Sequence, residues 1–360
     1  MDDNIIKTEI VDEYNKLVKN DRLLPIKVSD FYMQKIIEEV KAIGINGPLY
    51  KSVLPTKERM EIKSSVETRD YVEEYKHMPV EDVDYIIQKY NERIIFIVTD
   101  ICFSHCQYCF RTYNLTGFQK SNLKSTIKNK IKVLKEYLSN HEEITEVILS
   151  GGDPLSVGYD NLQYIFKELK EYNIRLHTRA IVYNPYIFTD EIIKLLKDYK
   201  IRLVFHINHP YEICEIVDKK IKELDENGIK MYSQFPLLRG INDSAKVLDI
   251  LLRKMDDLHI RPISIFIPDP LAYSASFRIN FERIEKIQDE LNWTTPSWVN
   301  SVRFTLDTTI GKVRRENITR RNDRCITFER DGNCVDYYDL DDGLDKPSDL
   351  SILLWKNNNN

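Results

Sequence analysis

An α/β fold built on parallel strands is the prediction for this 360-residue chain. Three observations carry it. Short β-rich runs recur from residue 93 onward: RIIFIVTD, ITEVILSG, IRLHTRAIV, IRLVFHIN, IKMYSQFPL, IRPISIFI and VRFTLD. Amphipathic stretches of helical length, such as NLQYIFKELKEY and TDEIIKLLKDY, lie between most of them, and that alternation gives parallel strands joined by crossover helices. The runs are nearly continuous in apolar residues at their centres, as strands covered on both faces are. Six or seven units suit a barrel, fully closed or not; an open doubly wound sheet fits the same pattern.

Ahead of the first strand, residues 1–88 read as mostly helical, with turn punctuation at 44–48 and at Pro55. The strands then end in polar or small residues: Asp100, the Gly151-Gly152-Asp153 turn, Arg179, His206 to Asn208, Gln234, Asp269 and Asp307. In a parallel barrel such ends converge on the face where active sites sit. The basic run KVRRENITRRNDR, residues 312–324, reads as a solvated loop, with an anion or nucleic-acid contact as the alternative. The tail PSDLSILLWKNNNN reads as a short packing segment followed by a disordered end.

Composition narrows the class. With 42% hydrophobic and 30% charged residues the chain suits a large soluble domain, and a net charge of −5 gives no bulk attraction to nucleic acid or membrane. No run of 18 apolar residues suggests a membrane span, and the charged N-terminus lacks the apolar core of a signal peptide. Six cysteines make no disulfide framework in a chain this long, so a cytoplasmic setting is expected. Cys214, Cys325 and Cys334 are scattered and read as core or surface thiols.

The other three cysteines are clustered. Cys102, Cys106 and Cys109 have C-x3-C-x2-C spacing on the loop that follows RIIFIVTD. Three thiolates can hold three irons of a [4Fe–4S] cluster and leave the fourth iron open to a ligand. A zinc knuckle borrowing His105 is the alternative.

With Tyr108 before the third cysteine, the motif resembles the radical S-adenosylmethionine (SAM) enzymes, and ILSGGDPL, residues 148–155, resembles their glycine-rich SAM turn. Together, TDICFSHCQYCFRTY, LSGGDPL, HINHPYEI, QFPLLRGIND and FIPDP resemble the lysine 2,3-aminomutase family, over residues 48 to 336. That resemblance implies a partial (β/α)6 barrel of radical SAM type with a helical N-terminal extension and a short C-terminal segment. The divisions would be a helical region 1–88, a barrel 89–311, a segment 312–345 carrying the pyridoxal 5′-phosphate (PLP) lysine, and a tail 346–360.

It also implies cofactors and residue roles. SAM would chelate the fourth iron and rest on Gly151, Gly152 and Asp153, with Arg179, His206 and Gln234 as further contacts. The glycines would let the backbone approach the methionine part of SAM. PLP would be held by Lys312 in LDTTIGKVRR, and its phosphate by Lys89, Tyr90 and Arg93, Lys89 standing where the family has arginine. Arg111 would grip the substrate carboxylate, and Asp269 with Asp307 the distal cation of a basic amino acid. The chain departs from the family pattern in a shortened TTIGK followed by Val-Arg in place of Thr-Pro, in Phe266 for a tyrosine, and in Ser244 for a zinc cysteine, with no C-x-C-x2-C beyond it.

The implied activity is a 2,3-aminomutase moving the α-amino group of a basic L-amino acid to the β-carbon, lysine favoured over arginine. The expected partners are a small amino acid and an electron donor such as flavodoxin or ferredoxin, with no nucleic acid or membrane; a homodimer is compatible, and zinc-tied oligomers are not implied. Three rivals stand beside it. A radical SAM enzyme acting on a peptide or RNA would need no PLP. An iron–sulfur electron carrier would need only the cysteines. A zinc-bound structural module would be colourless.

Overall fold

The computed structural model of the chain describes residues 5–21, 23–118 and 125–356. Nine strands form one sheet in sequential order: β1 Ile86–Tyr90, β2 Arg93–Thr99, β3 Glu146–Gly151, β4 Asn173–Thr178, β5 Arg202–Phe205, β6 Met231–Pro236, β7 Ile260–Phe266, β8 Arg303–Thr308 and β9 Gly311–Val313. Strands β2 to β8 run parallel, while β1 and β9 are antiparallel additions at the two edges. All seven β-rich runs of the sequence are these parallel strands, curled into the incomplete barrel of the radical SAM fold.

The crossovers are helices Ile127–Ser139, Tyr159–Glu168, Asp190–Asp198, Glu215–Glu226, Ala245–Asp257 and Phe281–Thr294. Side-chain caps start several of them: Thr126, Thr189 and Ser244 each accept a backbone N–H of the first turn. Ser244 therefore has a structural task where the family carries a zinc cysteine. Alternation sorts each strand into two faces. Ile94, Phe96, Val147, Leu149, Leu176 and Leu203 are buried in the core, each such side chain contributing roughly 1.5–3 kcal/mol. Their neighbours Arg93, Ile95, Ile148, Ser150, Arg175 and His177 line an interior cavity.

The two edges of the sheet meet through side chains. The Lys312 backbone N–H in β9 donates to the Tyr90 hydroxyl of β1 at 3.1 Å. Gly311 has φ +103°, and a Cβ there would stand 3.3 Å from that hydroxyl and 3.0 Å from a guanidinium nitrogen of Arg330. A glycine is what lets this seam close.

The helical reading of the N-terminal region holds for Thr8–Asp21, Asp30–Ile43, Pro48–Val53 and Lys57–Glu61. Beyond them residues 62–85 carry only the 3-10 turn Glu74–His77 and a single bridge from Thr68 to Leu271, and β1 begins inside the stretch expected to be helical. This segment packs on the barrel, through the Glu74 side chain bonded to Arg111 and through the backbone bridge of Thr68 to Leu271.

The basic run is not the loop it was expected to be. Its residues form the turn Arg315–Asn317 and strand β10 Ile318–Asn322, which pairs with β11 Cys325–Arg330 and through it with β12 Asn333–Tyr338. Its charges are answered by carboxylates: Arg315 pairs with Glu285 and Asp289, Arg321 with Glu285, and Arg324 with Asp341. Leu353 and Leu354 of the tail are buried and the Trp355 indole N–H donates to Glu39 at 3.3 Å, so the packing segment is real. The disordered end expected after it, at residues 357–360, lies outside the described residues. Among the described residues no helix is long and apolar enough to cross a membrane.

Candidate active site

The cysteine loop has no regular structure of its own, so its shape comes from what holds it. The N-terminal region does this with backbone and side chains. The His105 N–H donates to the Lys27 carbonyl at 2.8 Å, and the Lys27 ammonium donates to the Cys102 carbonyl at 2.6 Å. Ser29 N–H donates to Ser104 Oγ, Gln107 N–H to the Ser52 carbonyl, and the buried Arg59 to the Gln107 carbonyl. One nitrogen of the His105 ring is engaged with the Pro25 carbonyl at 2.7 Å, which ties down the residue a zinc knuckle would borrow.

From below, the loop rests on the glycine turn after β3. Gly152 N–H donates to the Thr99 carbonyl, and Asp153 N–H to the Ile101 carbonyl at 2.7 Å. A Cβ on Gly152 would stand 2.3 Å from the Ile101 carbonyl oxygen, and one on Gly151 2.3 Å from that of Thr99. Gly151 is thus demanded by close packing on the end of β2, and Gly152 by close packing on the cysteine loop, whether or not a cofactor rests on the turn.

The three cysteines line one cavity of about 930 Å³, together with Gly151, Gly152, Asp153, Arg179, His206 and Gln234. Burial pushes all three thiols up, Cys109 to about 12, and the neighbouring thiol charges add to the rise at Cys102 and Cys109. Metal binding to the thiolates relieves that penalty. Among the described residues no three His, Cys, Asp or Glu side chains are set to hold a single metal ion. The donor set, three thiols around a common space, is the one that fits a cluster with one thiolate per iron.

Several of the expected SAM contacts already have partners. The Asp153 carboxylate accepts from the Thr178 hydroxyl at 2.8 Å and the Arg179 N–H at 3.0 Å; burial lifts it to about 6. It ties β3 to β4. Arg179 pairs with the buried Glu212 at 2.6 Å, bonds the Tyr108 hydroxyl, and lies 4.5 Å from the Tyr183 ring. His206 and His177 both face the Gln234 amide, at 3.4 and 3.1 Å. Burial drives His206 down to about 3 and His177 well below its usual value, so the trio is neutral. His177 was missed from the sequence, although Arg175, His177 and Arg179 alternate with apolar neighbours along β4.

On the opposite wall stands Lys312. It is largely enclosed, its ammonium 4.9 Å from the Phe266 ring, and burial lowers its pKa, aided by the charges of Arg175, Arg93 and Lys89 and opposed by Asp307. A lysine that gives up its proton easily fits an aldehyde cofactor. Arg93 packs on the Tyr90 ring at 4.7 Å, and Arg330, also missed, donates to the Lys312 carbonyl at 2.9 Å. Both arginines line the cavity, as does Arg175. Lys89 lines it too, and its ammonium is already engaged: it pairs with Asp307 at 2.9 Å and bonds the Thr308 carbonyl, joining β1 to β8.

Asp269 and Asp307 face each other electrostatically. Burial and the Asp307 charge push Asp269 up to about 8, with Lys89 and Arg278 pulling the other way. Arg111 is buried on the same cavity wall and held by Glu74 and Ser150.

Residues 96–251 match the model of the Radical SAM superfamily. The chain is 32% identical over 286 residues to the L-lysine 2,3-aminomutase of Buchnera aphidicola, covering 78% of this chain and 80% of that one. It is 29% identical over 275 residues to the L-lysine 2,3-aminomutase of Haemophilus influenzae, covering 75% and 78%. It is 30% identical over 245 residues to the glutamate 2,3-aminomutase of Clostridioides difficile, covering 66% and 55%.

Proposed function

Since the chain belongs to the lysine 2,3-aminomutase family of radical SAM enzymes, isomerases that work with a [4Fe–4S] cluster, SAM and PLP, we propose that it moves the α-amino group of a basic L-amino acid, lysine favoured, to the β-carbon. One observation carries the choice of substrate. Among the charged side chains that line the cavity, Asp269 and Asp307 are close enough for the charge of one to help raise the other to about 8, and Arg111 lines the same space. An amino acid with a cationic end is complementary to that pair of charges.

In this reading the roles are divided by wall. Cys102, Cys106 and Cys109 hold the cluster. Gly151 and Gly152 shape the turn beside it, and the neutral His177, Gln234 and His206 offer hydrogen bonds to SAM without adding charge to the site. Lys312 holds PLP, and Arg93, Arg330 and Tyr90 surround its phosphate. Arg111 takes the substrate carboxylate, and Asp269 and Asp307 the distal ammonium. When bound, the cofactors supply the radical that removes a hydrogen and the ring system that carries the migrating nitrogen. The protein supplies position, in a cavity bordered by residues of the β1–β9 seam and of the cysteine loop.

The test is anaerobic reconstitution with iron, sulfide, PLP and SAM, then incubation with L-lysine carrying ¹⁵N on the α-carbon. The expected product has the mass of lysine and its label on the β-carbon by NMR. Cleavage of SAM without a labelled β-amino product would reject the reading.

A further inference from the structure

The cavity wall carries a carboxylate to which the reading above gives no role. Glu74 opens the short turn Glu74–His77 ahead of β1, and both Glu74 and Arg111 are more than nine-tenths buried. Arg111 Nε donates to Glu74 Oε1 and Oε2 at 3.1 and 3.0 Å, and Arg111 NH2 donates to Oε1 at 2.7 Å. Arg111 NH1 donates to Ser150 Oγ at 2.6 Å, and the Phe110 ring lies 4.8 Å from the guanidinium carbon. Asn114 donates to Glu74 Oε2 at 3.3 Å and steadies it.

A guanidinium has five N–H donors in a rigid plane. Glu74 takes the one on Nε and one on NH2, and Ser150 takes one on NH1. One hydrogen on NH1 and one on NH2 are left, on an arginine that lines the cavity. We propose that Glu74 is a positioning residue for amino-acid binding: it holds Arg111 by its side edge so that the remaining donors meet the substrate carboxylate. This rests on the reading of Arg111 as the carboxylate grip.

Asp307 has its own ion-pair partner in Lys89 at 2.9 Å, and Glu74 is the carboxylate hydrogen-bonded to Arg111. Glu74 thereby fixes the plane of the guanidinium, and with it the direction of the two remaining donors. Losing a well-aimed hydrogen bond to a charged group costs on the order of 10–100-fold in affinity.

The experiment compares Glu74→Gln, which keeps the shape and one acceptor oxygen, with Glu74→Ala and Arg111→Gln in the reconstituted holoenzyme. Dissociation constants of L-lysine and of L-lysinamide, which lacks the carboxylate, are measured by calorimetry beside KM, kcat, SAM affinity and cluster absorbance. Expected is a rise of about 10–100-fold in the lysine constant and KM for Glu74→Ala, a smaller rise for Glu74→Gln, and little change in kcat, SAM affinity or lysinamide binding. If Arg111→Gln weakens lysine but both Glu74 variants bind like wild type, the positioning role is overturned and the Arg111 reading stands. If Arg111→Gln has no effect on lysine, that reading falls and the proposal with it. Tighter lysine binding in either Glu74 variant would make Glu74 a competitor of the substrate and overturn the proposal.

Discussion

Lys89 and Asp307 are joined by a 2.9 Å ion pair across the seam where the two edges of the barrel sheet meet. The pair does two things at once. It bridges β1 to β8, and it places a positive charge near enough to Lys312 to help lower the pKa of that lysine. Removing the cation leaves a partly buried carboxylate with no counter-charge. Lys89→Met should destabilise the cofactor-free protein by about 1–3 kcal/mol, and Lys89→Arg by less. Denaturant unfolding of the three proteins reads this directly; a Met variant as stable as wild type would remove the seam role.

Asp269 gives a pH signature. Its carboxyl is raised to about 8 by burial and by Asp307, against roughly 3.9 in an unfolded chain. The native protein therefore holds this proton more tightly than the unfolded one. The stability linked to it is fully present below the unfolded value and lost as pH rises through about 8. The melting temperature of the cofactor-free protein should carry a fall from this group between about pH 4 and 8 that levels off above it, and Asp269→Asn should flatten that fall. Lysine binding should strengthen over the same range while norleucine binding does not, since only the ammonium gains from ionised Asp269. A lysine affinity flat from pH 6 to 9 would separate Asp269 from the distal cation.

Gly152 should matter to the cluster without touching it. A methyl group there meets the Ile101 carbonyl at 2.3 Å, and that carbonyl belongs to backbone that cannot move without moving Cys102. Gly152→Ala should fold, lose most of its iron and brown absorbance, and cleave SAM poorly. The Ala variants of Cys102, Cys106 and Cys109 set the scale for a missing ligand; full cluster content in Gly152→Ala would show that the loop can relax.

Lys312 should carry PLP. Borohydride reduction of the loaded protein followed by peptide mapping should find the pyridoxyl group on Lys312. Label on Lys89, the other lysine lining the cavity, would reassign the site.

Much of this was legible in the sequence because it is local. The seven parallel strands announced themselves as apolar runs, and of the residues that end them Asp153, Arg179, His206, Gln234, Asp269 and Asp307 gather at one cavity, while Asp100 and Asn208 do not line it. C-x3-C-x2-C and GGD sit one strand apart, and the structure joins them through backbone hydrogen bonds from Gly152 and Asp153. What escaped was decided by distant partners. Glu74 reads as one more charge in an acidic stretch until the fold brings Arg111 to it. The partner that Lys89 has in Asp307 is visible only once β8 arrives beside β1. The basic run hid strand β10 because its arginines suggested solvent, yet they answer carboxylates on a helix earlier in the chain, Glu285 and Asp289. Its sheet partner β11 does carry apolar residues at alternate positions, Ile326 and Phe328, although Thr327 between them is buried as well.

The central claim is that this cavity accepts an amino acid with a positive end and moves its α-nitrogen. It is tested most directly by turnover of L-lysine, L-arginine, L-glutamate and L-alanine by one preparation of the reconstituted enzyme, with β-amino products quantified by mass and NMR. The account predicts β-amino product from the basic amino acids, lysine first, at a kcat/KM on the order of 100-fold or more above glutamate and alanine, the loss expected when a buried carboxylate is left without its cation. Glutamate or alanine converted as readily as lysine, or no β-amino product from any of the four, would contradict it.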